Sequence, residues 1–168
     1  LSVLEATRTD DDEKEALAAS MIEVSKLTRD LLAMHLATIA LSPGEDDYLL
    51  ALSTREPTDL IEVAEELDVR RLVAAKAYER LSVRNLVEID GCKITLTDSG
   101  NATRSMISTV YRMVGEDIAG KLSTNTIEVV KGTLAEVKRN MKRALRQKSQ
   151  GIKSVGKKAS QKVSPMRD

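Results

Sequence analysis

The segment RLSVRNLVEIDGCKITLTDSG, residues 80–100, constrains the fold more than any other. A helix-like passage runs into two short apolar stretches rich in β-branched residues, Leu86–Ile89 and Lys93–Leu96. Asp90-Gly91 between them is a strong hairpin signal, because glycine takes a positive φ at little cost. Thr97 is then well suited to cap a further helix. A tight hairpin held directly between two helices makes a poor frame for catalysis and a good docking surface for nucleic acid.

The rest of the chain reads as helix. From about Glu13 to Ala40 there is no Gly or Pro, and Met21, Val24, Leu27, Leu31, Met34 and Ala37 recur at helical spacing. Ile22, Leu32, Leu36 and Ile39 add apolar positions on other faces, so this helix needs more than one partner. Ser42-Pro43-Gly44-Glu45 reads as a capping box with Ser42 at the cap, opening a short helix through Tyr48, Leu49, Leu50 and Leu52. Thr58 or Asp59 caps a second short helix carrying Leu60, Ile61, Val63, Ala64 and Leu67. Asp68-Val69 leaves room only for a tight turn before a third helix, Arg70 to Ser82, with Ala74, Ala77, Tyr78 and Leu81 facing inward. After the hairpin, a helix from Thr97 to about Ala119 is weakened locally by Gly100 and Gly115. Ser123 or Thr124 caps the last helix, whose Ile127, Val130, Leu134, Val137, Met141 and Leu145 form a narrow seam. Two short helices joined by a tight turn form a helix-turn-helix, and the hairpin after it is a wing. The long terminal helices carry more apolar surface than so small a head can cover, which predicts a two-fold homodimer.

Composition narrows the function. The 168 residues hold no Trp, no Phe and three Tyr, so the core must be aliphatic. No apolar run approaches a bilayer span and no signal-peptide pattern opens the sequence. A lone Cys fits a reducing compartment. A reducing cytosol is therefore the expected compartment, with no membrane partner. The formal net charge is zero, but residues 142–168 hold nine Lys/Arg against one Asp, and the remainder 17 against 25 Asp/Glu. A basic tail on an acidic body suits phosphate or another anionic surface. There is no G-x-S-x-G, no phosphate-binding loop and no metal-ligand pattern, so no enzyme, no cofactor and no metal are expected.

From Leu41 to about Leu145 the chain resembles the MarR family of winged-helix transcription regulators. The resemblance rests on LSPGEDDYLLAL, DLIEVAEELDV, YERLSVRNLVE, ITLTDSG and LSTNTIEVVKGTLAEVKRNM, in that order and spacing. It implies a mainly α (α+β) protomer of six helices with a short two-stranded wing. It also implies dimerisation through the terminal helices, double-stranded DNA as partner, a prokaryotic cytoplasm with nucleoid association when bound to DNA, and often control by a small ligand or an oxidant. The expected organisation is an acidic flexible lead-in or frayed helix start over residues 1–12, a winged-helix DNA-binding and dimerisation domain over 13–146, and a flexible basic tail over 147–168.

On the recognition helix, Arg70, Arg71, Lys76 and Arg80 supply cations, with Arg84 just beyond and Lys93 on the wing. Arg reads guanine edges bidentately, and either cation neutralises phosphate. By the family's pattern positions 72, 73 and 76 face the groove. The family usually has small hydroxyl residues at the first two, whereas here stand Leu72 and Val73, which either read thymine methyl groups or belong to the core. Family wings are commonly longer and carry an Asp-Arg pair. This one is cut to Asp90-Gly91-Cys92, flanked by Glu88 and Asp90, and should repel phosphate. The tail's Arg143, Arg146, Lys148, Lys153, Lys157, Lys158 and Lys162 either compensate or simply solubilise. For a small effector the local candidates are His35, Tyr48, Met106, Tyr111 and Met113; His35, the only His, is also readable as a packed or surface residue. Cys92 does not match the position of the family's redox thiol and reads as an incidental surface Cys. The expected function is a dimeric, sequence-specific transcriptional repressor. The alternative is a winged-helix protein-interaction module with degraded DNA specificity.

Overall fold

The computed structural model describes residues 2–160, and the side chains of residues 10–148. In chain order the elements are α1 (Ser2–Ala37), α2 (Glu45–Leu50), β1 (Thr58–Asp59), α3 (Leu60–Glu66), α4 (Arg71–Val83), β2 (Val87–Asp90), β3 (Lys93–Leu96), α5 (Asp98–Ala119) and α6 (Thr124–Ser160). This is the expected mainly α winged helix. The chain divides into two compact units, one reaching through Ile118 and one starting at Ala119.

In the first unit, Leu36 of α1, Leu49 of α2, Tyr78 and Leu81 of α4, Ile94 of β3 and Ile107 of α5 are sealed from water at the centre of one core. All but Tyr78 are aliphatic, as a chain without Phe or Trp requires. Tyr78 meets Tyr48 edge to face, with ring centroids 5.5 Å apart, and donates its hydroxyl to the Tyr48 carbonyl at 2.9 Å. The four residues expected to face inward on α4 are all buried.

Several local expectations give way. Helix α1 begins at Ser2 rather than near Glu13, so the acidic run is helical. Carboxylates near a helix N-terminus favour the macrodipole, and Lys14 pairs with Asp10 one turn back. Helix α2 is capped by Gly44, at φ 90°, and not by the Ser42 side chain. Only the returning arm of the capping box forms, with the Ser42 N–H donating to the Glu45 carboxylate at 2.8 Å. Of the two candidates for the cap of α3, Asp59 takes the place and accepts from the Ile61 N–H.

The wing has three strands, in the order β1-β3-β2, all antiparallel. Thr58 and Asp59 lie opposite Ile94 and Lys93, a pairing too short for sequence periodicity to register. Asp90 lies opposite Lys93, so the two turn residues are Gly91-Cys92, one place later than expected. Gly91 has φ 57°, the sign that the first central residue of a type II′ turn requires.

Helix α5 opens where expected, with the Thr97 hydroxyl accepting from the Gly100 N–H at 2.9 Å. Gly100 is more than a weak helix former. A Cβ there would lie 1.8 Å from the Leu86 carbonyl oxygen, so glycine is what lets α5 approach the root of the wing.

The second unit is described by itself. Ser123 caps α6 through the Thr126 N–H at 3.1 Å, as expected. The expected seam lies open, with Leu134 45% and Met141 57% exposed. The helix continues to Ser160, through residues expected to be flexible tail.

Candidate nucleic-acid interface

Helix α4 owes its pose to a turn built without glycine. At the end of α3, Asp68 takes a left-handed conformation, φ 53°. The Asp68 N–H bonds the Glu65 carbonyl at 3.2 Å and the Val69 N–H bonds the Ala64 carbonyl at 2.9 Å, a complete Schellman motif. Arg70 then occupies the N-cap of α4 with extended backbone, and the helix begins at Arg71, one residue later than expected. With Ala74, Ala77, Tyr78 and Leu81 committed to the core, the opposite face is fixed. It carries Leu72, Val73, Lys76, Glu79, Arg80 and Val83, all exposed, with Arg70 and Arg71 exposed at the leading end. Leu72 is 67% and Val73 43% exposed, so neither belongs to the core. Glu79 and Val83 escaped the sequence reading, although their i+7 and i+11 spacing from Leu72 puts them on its face; Val83 is 88% exposed.

Two of the proposed cationic contacts are engaged elsewhere. Arg84 ends α4 as its C-cap and turns back onto the α1–α2 junction. Its guanidinium meets the Glu45 carboxylate at 2.7 Å and also donates to the Ala40 carbonyl. Glu45 is buried, and a buried carboxylate needs such a partner. No local sequence signal joins residues 39 positions apart. Lys93 reaches Asp59 at 3.3 Å across the β1–β3 pairing. The Asp59 carboxyl is held below the usual carboxylate range chiefly by the bond from the Ile61 N–H, with Lys93 and Arg71 adding to the effect. Glu88 and Asp90 stay exposed on the wing, so the expected acidic character is present. The wing thus offers a phosphate two carboxylates and one cation that already faces a third.

The effector candidates do not converge. His35 is bonded to Asp117 at 2.6 Å, and Tyr48 meets Tyr78 edge to face. Tyr111 donates to the Asp46 carboxylate at 2.7 Å. Burial, reinforced by that bond, holds its phenol protonated well above the ordinary tyrosine range. Met106 and Met113 are partly exposed on α5. None of His35, Tyr48, Met106 and Tyr111 bonds to or stacks on another of the four. Cys92 is a free, exposed thiol. Among the described residues no group of three or more His, Cys, Asp or Glu is placed to hold a metal, and no helix is long and apolar enough to cross a membrane. The side chains of Lys153, Lys157, Lys158 and Lys162, named with the basic tail, lie outside the described residues.

No family model and no curated protein sequence matches this chain. Solved structures do. A MarR-family protein of Mycobacterium tuberculosis, Rv2887, in complex with DNA, superposes with a TM-score of 0.62 at 20% identity, covering 72% of this chain and 96% of that one. A mutant of MarR from E. coli, complexed with operator DNA, gives 0.62 at 16% identity, covering 74% and 95%. The transcriptional regulator SlyA gives 0.58 at 17% identity, covering 74% and 93%. Likeness at such identities is likeness of architecture alone, and the architecture this chain shares with these structures is a winged helix.

Proposed function

We propose that this protein is a dimeric, sequence-specific DNA-binding transcriptional regulator that represses by occupying a pseudo-palindromic operator. The exposed face of α4 carries the proposal. It presents Arg70, Arg71, Lys76 and Arg80 on a fold whose solved neighbours include two DNA complexes. A recognition helix reads base edges from its leading residues while nearby cations fix its register on the phosphates. The open apolar positions of α1 (Leu27 and Met34) and of α6 (Leu134 and Met141) support association of two copies. Two copies would present two such helices to half-sites one helical turn apart. A small effector would release the operator by favouring another spacing of the heads. The reading is of a protein without enzymatic activity, working in the cytoplasm of a prokaryote.

Selection of bound sequences from random duplexes tests this, followed by fluorescence anisotropy on the winning site across a salt series. A specific complex surviving near-physiological salt is the expected result. Arg71→Ala should weaken it about tenfold or more if Arg71 contacts a base, and should lower the salt slope by about 0.9 if it contacts a phosphate. Deleting residues 147–168 should weaken binding to all sequences alike and flatten the slope.

The wing favours a second reading, a protein-interaction module with degraded DNA specificity. Glu88 and Asp90 disfavour phosphate, and both Arg84 and Lys93 face carboxylates of the chain itself. Binding that ignores sequence and vanishes with salt would establish that reading in place of the first.

A further inference from the structure

We infer that Leu72 and Val73 read the 5-methyl groups of thymine in the major groove. The inference rests on the proposed DNA-binding reading and adds the base that α4 selects. Both side chains stand open at the leading end of α4, 67% and 43% exposed, on the first turn of the helix. Exposed cations flank them, Arg70 and Arg71 before and Lys76 after. A polyanion drawn onto that end of α4 therefore meets two apolar side chains at the position from which a recognition helix addresses base edges.

Neither side chain can donate or accept a hydrogen bond. Pressed against guanine or cytosine they would strip water from N7, O6 or N4 and return nothing, a penalty that argues against those edges. Thymine alone among the four bases offers an apolar group in the major groove. 5-Methylcytosine carries the same methyl, but beside an N4 amine, a donor that the flanking Arg70, Arg71 and Lys76 cannot satisfy, whereas thymine sets beside its methyl the O4 acceptor, to which those cations can donate.

The test uses the full chain and the duplex recovered by selection, with deoxyuridine replacing thymidine one position at a time. Deoxyuridine keeps every hydrogen-bonding group and lacks only the methyl. Loss of one buried methyl contact predicts about fourfold weaker binding at one or two positions in each half-site. Leu72→Ala and Val73→Ala should each abolish the deoxyuridine penalty at one position while leaving the salt slope unchanged. Because both residues are exposed, far-UV circular dichroism of the variants should match the parent. Cytosine or 5-methylcytosine at the same positions should bind more weakly than thymine. A specific complex indifferent to deoxyuridine, or a selected site without thymine under α4, overturns the inference and leaves the DNA-binding reading standing. Failure to select any sequence overturns both.

Discussion

Two glycines of α5 should respond in opposite directions to the same substitution. In Gly100→Ala the new methyl would sit 1.8 Å from the Leu86 carbonyl oxygen, 2.9 Å from its carbon and 3.2 Å from a Leu96 methyl. An ordinary carbon–oxygen contact is about 3.3 Å or more, so the backbones must part by roughly 1.5 Å. The obstacle is main chain, which cannot rotate away as a side-chain tip could. Backing off also stretches the bond from the Thr97 N–H to that same Leu86 carbonyl, now 3.2 Å, and loosens α5 from the wing root. Overpacking commonly costs about 1–3 kcal/mol; a clash with backbone belongs at the top, about 3 kcal/mol or more. At Gly115 a Cβ meets nothing within 4 Å. There Gly115→Ala should stabilise by about 0.8–1 kcal/mol from helix propensity alone. Urea unfolding followed by circular dichroism reads both, at one fixed protein concentration because association contributes to stability. With a denaturant slope of about 2 kcal/mol per molar, the midpoint should fall by about 1.5 M for Gly100→Ala and rise by about 0.5 M for Gly115→Ala. Midpoints moving in the same direction, or a Gly100→Ala loss under about 0.5 M, would refute the close approach of α5 to Leu86.

Three further outcomes follow from the same geometry. Arg84→Met should destabilise by about 2–3 kcal/mol, less than a fully buried pair would cost, because Arg84 is about a third exposed and Glu45 keeps the bond from Ser42; thermal melts compared with a Glu45→Gln/Arg84→Met double variant check that the loss comes from the orphaned carboxylate. The depressed Asp59 pKa stabilises the fold above the unfolded carboxylate value of 3.8, and that contribution is lost as pH falls towards the lower folded value; acid unfolding of Asp59→Asn should accordingly be less steep below about pH 4, and an unchanged profile would mean that Asp59 contributes nothing there. Leu134→Glu places a charge on the open seam of α6; sedimentation should show association weakened a hundredfold or more, and an unaffected dimer would remove this seam from the interface.

The order of the helices, the hairpin and the inward face of α4 are legible in the amino-acid pattern, because each is written in local periodicity. Ala74, Ala77, Tyr78 and Leu81 recur at helical spacing and are all buried, and Thr97 caps α5 as its position beside a β-branched strand suggests. Helix ends were harder to place, because three Schellman-like turns put Ala40, Asp68 and Asn85 in the left-handed conformation where glycine would have given the signal. Which charges are available to a partner depends instead on how the packed fold brings distant residues together. Arg84 and Lys93 looked like free cations until the fold set Glu45 and Asp59 against them, and Leu72 and Val73 looked like possible core until α4 turned its other face inward. Periodicity reports which side of a helix is apolar; pairings between residues distant in the chain depend on how helices and strands come together, and no local pattern encodes that.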